Sequence, residues 1–229
     1  MNKTGWIIFS AVVVVLLGGL VVWTRVTNPP LDVSGVQNNS IIAASEQNGE
    51  IADHVTGSDA EKILLIEYGD YQCPSCGGAY PNVKTLLEDY GSDVTLVFRN
   101  FPLTSIHPNA LAAASAAEAA GLQGKYWEMH DKLYQNQSEW SNLDTSKRTV
   151  MFKSYASSLG LDIDKFESDL AGKQVSQKIT FDTAVGKSVN VNATPTFFLN
   201  GEKLDDETSS GIVQGDLTKI KAKFDALVK

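Results

Sequence analysis

The sequence predicts an α/β domain behind an N-terminal apolar helix: a strand–helix–strand unit, then a block of helices, then a strand hairpin and a closing helix. Three observations carry this reading. Two short runs rich in Leu and β-branched residues, Ile63–Glu67 and Val94–Phe98, bracket a segment with a helical pattern. From His107 to about Val189, helix-favouring stretches follow one another with almost no strand signal. Trp6–Trp23 is a run of eighteen uncharged, mostly apolar positions with a tryptophan at each end.

The apolar run has the length and the aromatic ends of a membrane span. A cleaved signal peptide is the competing reading, but Val21-Val22-Trp23-Thr24-Arg25 offers no small-x-small cleavage site. The expected organisation is a short cytoplasmic N-terminus at 1–5, a transmembrane anchor at 6–23, a polar linker at 24–51 and a folded domain at 52–229. The linker holds Asn28-Pro29-Pro30 and Gln37-Asn38-Asn39-Ser40 and has too few aromatic residues to bury much surface. Lys3 and the α-amino group face Arg25 across the run, so charge alone orients it by only one unit. The formal charge of −8 argues against a nucleic-acid partner, which would reward a basic surface.

Within the domain, Ile63–Glu67 reads as a buried strand that Gly69 and Asp70 end. Pro74 suits a first helical turn, and the helix it opens runs to about Tyr90, where Gly91 stops it. Val94–Phe98 is then a parallel strand reached by a right-handed crossover. Asn109 is placed to cap the Ala-rich helix ALAAASAAEAA. Lys125–Gln135, Ser146–Leu159, Asp164–Leu170 and Val175–Val185 follow as helices, with stops at Gly121, 136–142, Gly160 and Gly172. Thr194–Leu199 opens a strand on a proline, and Asn200-Gly201 turns it into a return strand at Glu202. Asp216–Val228 closes the chain as a helix with Leu217, Ile220, Phe224 and Leu227 on one face. Leu204–Gly215, LDDETSSGIVQG, is polar and has no place in this scheme.

The only two cysteines, Cys73 and Cys76, stand three apart between a strand and a helix. A zinc site would need about four ligands, and no second C-x-x-C exists. A structural disulfide across so short a loop is worth only about 2 kcal/mol on the chain-entropy account. A redox pair uses the position better. At a helix N-terminus the free backbone N–H groups favour a thiolate, which is the attacking species in thiol–disulfide exchange. Such chemistry persists outside the cytoplasm, which places the domain on that side.

Cys73-Pro74-Ser75-Cys76 occurs with Asp53-His54-Val55-Thr56-Gly57, Glu67-Tyr68-Gly69-Asp70-Tyr71, Phe98-Arg99-Asn100-Phe101-Pro102-Leu103, His107-Pro108-Asn109-Ala110, Gly124–His130 and Ala193–Gly201. In this order and spacing they resemble the DsbA-like branch of the thioredoxin superfamily, from about Ala52 to the C-terminus. The resemblance implies a thioredoxin fold with a helical subdomain inserted at about 103–190. It implies that Cys73 attacks, that Cys76 resolves the mixed disulfide, and that Pro74 and Ser75 tune the pair. The best-known members carry a histidine where this chain has Ser75, which removes one cationic stabiliser of the thiolate. Glu67 matches a buried acid that relays a proton to Cys76, against the plain alternative of a solvated strand-end glutamate. Thr194-Pro195 matches a cis-proline whose preceding backbone binds an extended substrate strand.

The activity so implied is oxidation of cysteine pairs in secreted or surface proteins that contain thiols or are unfolded. A membrane quinone-linked partner would reoxidise the pair, and no cofactor or metal is needed. A disulfide reductase or isomerase shares the chemistry, and a non-catalytic peptide-binding or holdase module with a structural disulfide is the reading from another class. His54 is expected to hold the lead-in segment, and His107 and His130 to serve packing or surface. Tyr71, Tyr80 and Phe101 read either as an apolar substrate surface or as core.

Overall fold

The computed structural model describes residues 3–27, 31–58 and 62–228. The chain forms two compact units, Met1–Asp32 and Val33–Lys229. The first holds one helix, α1 (Lys3–Thr27). Most of its described side chains, between Gly5 and Gly19, are exposed. Among the described residues no helix is long and apolar enough to cross a membrane. The segment 6–23 expected as an anchor lies within this helix.

The second unit is built on a five-stranded sheet in the order β1-β3-β2-β4-β5. β2 (Ile63–Gly69) and β3 (Val94–Asn100) are buried along their whole length and pair in parallel, joined by α2 (Pro74–Asp89). Continuous apolar runs suit strands covered on both faces. β4 (Thr196–Leu199) pairs antiparallel with β2 and with the two-residue β5 (Glu202–Lys203). Asn200 and Gly201 make the turn with positive φ, as the Asn-Gly signal requires. β1 (His54–Gly57), which the sequence reading lacks, runs antiparallel to β3 at the sheet edge.

The helical insertion comprises α3 (Ala110–Gly121), α4 (Tyr126–Gln135), the short α5 (Gln137–Trp140), α6 (Thr145–Ser158), α7 (Ile163–Leu170) and α8 (Lys173–Ser188). Small side chains let α3 approach its neighbours closely. Ala116 and Ala117 are both inaccessible within the core that Met129, Trp140 and Phe166 share with Cys76. Ala116→Leu is expected to overpack this core and cost about 1–3 kcal/mol of stability. Urea unfolding of the variant would measure it.

Two expectations fail here for identifiable reasons. Asn109 does not cap α3; its amide is used across the insertion, donating to the carbonyls of Ser141 and Leu143 (both 3.0 Å) and accepting from Arg148 (2.6 Å). Leu204–Gly215 is not irregular, because it carries α9 (Asp206–Gln214), after which α10 (Thr218–Leu227) closes the chain. Asp205 caps α9 by accepting from Thr208 N at 2.8 Å, and Gly215 ends it in the left-handed conformation. Only Thr208 and Ile212 of α9 are buried, too few to give the sequence a clear apolar period.

The linker expected at 24–51 is also shorter on its C-terminal side. Asn38 to Asp53 lie on the domain because Arg99 and Lys178 are fully buried cations that need partners. Asp53 bonds Arg99 Nη2 at 2.7 Å and Lys178 Nζ at 3.1 Å, while Asn38 Oδ1 and the Ser40 carbonyl accept from the same guanidinium. Lys178 also pairs with Asp182 at 2.8 Å, and Asp182 accepts from Asn100 N.

Candidate active site

The end of β2 and the start of α2 bring the two cysteines over the sheet. Cys73 is the N-cap residue of α2 with extended backbone, and Pro74 takes the first helical position. Both cysteines are free thiols. Cys73 is 7% exposed and Cys76 is wholly buried one turn further in, while Pro74 and Ser75 between them are exposed.

Cys73 Sγ lies 3.3 Å from the Thr194 carbonyl oxygen, two residues before β4. The Thr194–Pro195 bond is cis. The Cys73 pKa falls to about 5: the Cys76 thiol donates to its sulfur, and the Thr194 side chain and the backbone N–H groups of Cys76 and Ser75 add to that against the cost of burial. Burial, with the Cys73 sulfur and Glu67 as negative neighbours, pushes the Cys76 thiol well above its usual range. The site thus divides its sulfurs into one thiolate and one thiol at neutral pH.

Glu67 is buried at 3% exposure on β2 rather than solvated at a strand end. Its register partners are Phe98 on β3 and Phe197 on β4, so neither neighbouring strand sets a polar side chain directly opposite it. Burial first, and the Cys73 thiolate second, raise its pKa to about 8, leaving a neutral carboxyl at pH 7.

Cys73, Cys76, Pro74, Ser75, Thr194 and Glu67 therefore gather at one place, with Pro195 beside them. Gln137, Asp70 and His107, to which the sequence reading gives no role at the site, support the same turn. Gln137 Nε2 donates to the carbonyls of Tyr71 and Cys73, each at 2.8 Å, tying α5 to the start of α2. Asp70 is buried and accepts from Gln72 N and Leu103 N at 2.8 Å, and His107 Nδ1 lies 2.7 Å from it. No short-range pattern marks these contacts, which span 33 to 66 residues except for the Asx turn at Asp70. Tyr71 and Phe101 are core residues, not an exposed substrate surface.

The family model described as thioredoxin matches residues 50–215. The chain belongs to the thioredoxin family. Among solved structures, this thioredoxin-family chain is similar to BdbD from Bacillus subtilis, with a TM-score of 0.65, 20% identity, and coverage of 82% of this chain and 98% of that one. It is also similar to MdbA, a thiol-disulfide oxidoreductase from Corynebacterium diphtheriae (TM-score 0.59, 18% identity, 82% and 98% covered). A thioredoxin-like oxidoreductase from Silicibacter pomeroyi gives a TM-score of 0.57 at 24% identity, covering 71% and 91%. At these identities the likeness is one of fold. The Na(+)/H(+) antiporter NhaA 1 of Salinispora arenicola is 42% identical over 151 residues, which are 66% of this chain and 22% of that protein. NhaA 3 of Salinispora tropica is 43% identical over the same length and shares. The chain thus spans about a fifth of the curated relatives it matches.

Proposed function

We propose that this chain is a thiol–disulfide oxidoreductase that passes its Cys73–Cys76 disulfide to cysteine pairs of secreted or surface proteins. The observation that carries the reading is the division of the pair: a helix-held Cys73 with a pKa of about 5 above a buried Cys76 kept as a thiol beside a neutral acid. A substrate thiolate attacks Cys73 Sγ, the Cys73–Cys76 bond breaks, and its electron pair leaves on Cys76 Sγ. Cys76 takes the proton of the Glu67 carboxyl. A second substrate thiolate then attacks the substrate sulfur of the mixed disulfide, and Cys73 leaves as a thiolate. The substrate loses two electrons and two protons; the chain keeps the electrons as a Cys73 thiolate and a Cys76 thiol, Glu67 is left as a carboxylate, and both substrate protons go to solvent.

A low Cys73 pKa stabilises the reduced form and makes the disulfide oxidising, which supports donation over reduction. Thr194 and Pro195, next to Cys73, are the surface against which an extended substrate strand would pair. We place the domain outside the cytoplasm with the apolar helix at 6–23 as its membrane anchor, since a disulfide donor works in an oxidising compartment. A membrane quinone-linked partner then returns the pair to the disulfide. Antiport is not part of this reading, because the matched region is 22% of the antiporters.

Alkylation of the reduced full-length protein by iodoacetamide, followed by mass, tests the division of the sulfurs. Cys73 is expected to react with a midpoint near pH 5 while Cys76 stays unmodified at pH 7. Two cysteines titrating together near the free value of about 8.5 would refute it.

A further inference from the structure

Beside Glu67 of β2 lies a cavity of about 60 Å³, lined also by Tyr80 and Lys84 of α2 and by His130, Asp131 and Tyr134 of α4 among other residues. Glu67 Oε1 and the Tyr134 hydroxyl are both buried and have no hydrogen-bond partner among the described residues. Glu67 is 3% and Tyr134 6% exposed. Native proteins rarely leave two such groups facing one space unless water serves them. A water needs about 10–15 Å³ of such volume, so the cavity has room for a short file.

The outer end is charged. Asp131 forms an ion pair with Lys84 at 2.8 Å, both partly exposed, and its other oxygen lies 3.2 Å from His130 Nδ1. His130 is buried among Tyr71, Tyr80, Phe98, Trp127 and Tyr134. Burial holds its ring below the usual histidine range, so it is neutral at pH 7, with one ring nitrogen to take up a proton as the other releases one. Glu67 has no comparable route through the sheet, where its neighbours are Phe98 and Phe197.

We propose that this cavity is the proton path of the site: Glu67 is recharged from solvent through water in the cavity, with His130 and Asp131 passing the proton at its outer end. The inference rests on the disulfide-exchange reading above. When the substrate thiolate breaks the Cys73–Cys76 bond, Glu67 gives its proton to the Cys76 thiolate and becomes a carboxylate. One proton then moves from a solvent acid through Asp131, His130 and water to Glu67. Reoxidation runs the same transfer outward, so no proton is gained or lost by the path itself.

The test is single-turnover reduction of the oxidised full-length protein by a reduced dicysteine peptide, in H2O and in D2O. His130→Ala is expected to slow the reaction about tenfold, less than the roughly 10²–10⁴ of a group that touches the reacting atoms because His130 acts through Glu67, and to enlarge the solvent isotope effect. Added imidazole is expected to restore the rate, which a merely structural histidine would not allow. Asp131→Asn, at the partly exposed rim, is expected to change rate and isotope effect in the same direction, and it decides the matter if His130→Ala does not fold. Wild-type rates and isotope effects in both variants while Glu67→Gln is slow would overturn the path, since the proton would then reach Glu67 elsewhere. A Glu67→Gln variant at the wild-type rate would remove the acid itself. A wild-type chain that exchanges no disulfide would be the failure of the underlying reading, and the path would fall with it.

Discussion

Cys73→Ser is expected to abolish disulfide transfer, a loss on the order of 10³-fold or more, because the attacked sulfur of the exchange is gone. Cys76→Ser is expected to give a different phenotype. It has no disulfide to donate, but in the reverse direction its Cys73 thiolate attacks an oxidised substrate, and with no Cys76 thiol to displace that substrate the mixed disulfide on Cys73 persists. The asymmetry follows from placement. Cys73 caps α2 with its sulfur among the Cys76 thiol, the Thr194 side chain and two backbone N–H groups, whereas Cys76 is wholly buried. Non-reducing gels of cells or lysates that hold each variant would separate the two. Mixed disulfides captured equally by both variants would contradict the assignment of roles.

Arg99→Met is expected to be the most damaging change outside the sulfur site, at about 3–5 kcal/mol, the range for removing one partner of a buried ion pair. The guanidinium is fully buried and donates to Asp53, Asn38 and the Ser40 carbonyl, with the Tyr68 hydroxyl 3.1 Å from Nη1. Without it, Asp53 keeps only Lys178 and the Ile42 N–H as partners in a buried place. Burial opposes ionisation of Asp53, but the charges of Lys178 and Arg99 hold its carboxyl below the usual range. Losing Arg99 removes one of those charges and loosens the segment from Asn38 to Asp53 from β3. At about 2–4 °C per kcal/mol for a domain of this size, thermal unfolding should fall by roughly 10 °C. A fall of a degree or less, with the segment still protected from hydrogen exchange, would show that the network does not hold it.

The parts of the fold that were legible in the sequence are those with local signals. β2, α2 and β3 are readable because continuous apolar runs, Pro74 and Gly91 are short-range marks, and the same holds for the Asn200-Gly201 turn. The sulfur site is readable because two cysteines three apart at a helix start mean little else. Glu67 could be placed as buried only through the family resemblance, since its environment comes from Phe98, Phe197 and the sulfurs rather than from its own neighbours in sequence.

What stayed hidden depends on distant partners. The segment from Asn38 to Asp53 reads as a polar linker because its value lies in meeting Arg99 and Lys178, which stand 46 and 125 residues from Asp53. Asn109 has the composition of a cap, yet two carbonyls and an arginine 32 to 39 residues away claim its side chain. His130 ends one fragment of the family resemblance, but nothing in that fragment gives it a role, and its place beside the Glu67 cavity follows from how α4 packs on α2. α9 was missed although Asp205 and Gly215 bound it, since its sparse apolar positions conceal the period.

The measurement that tests the central claim most directly is the reduction potential of the Cys73–Cys76 couple in the full-length protein, equilibrated against glutathione buffers. A Cys73 pKa of about 5 is some two units below that of thioredoxin, and at about 30 mV per unit for a two-electron couple this raises the potential to about −210 mV. A value between about −210 and −120 mV is the result predicted for a disulfide donor. A value at or below roughly −270 mV would contradict it and make the pair a reductant or a structural disulfide.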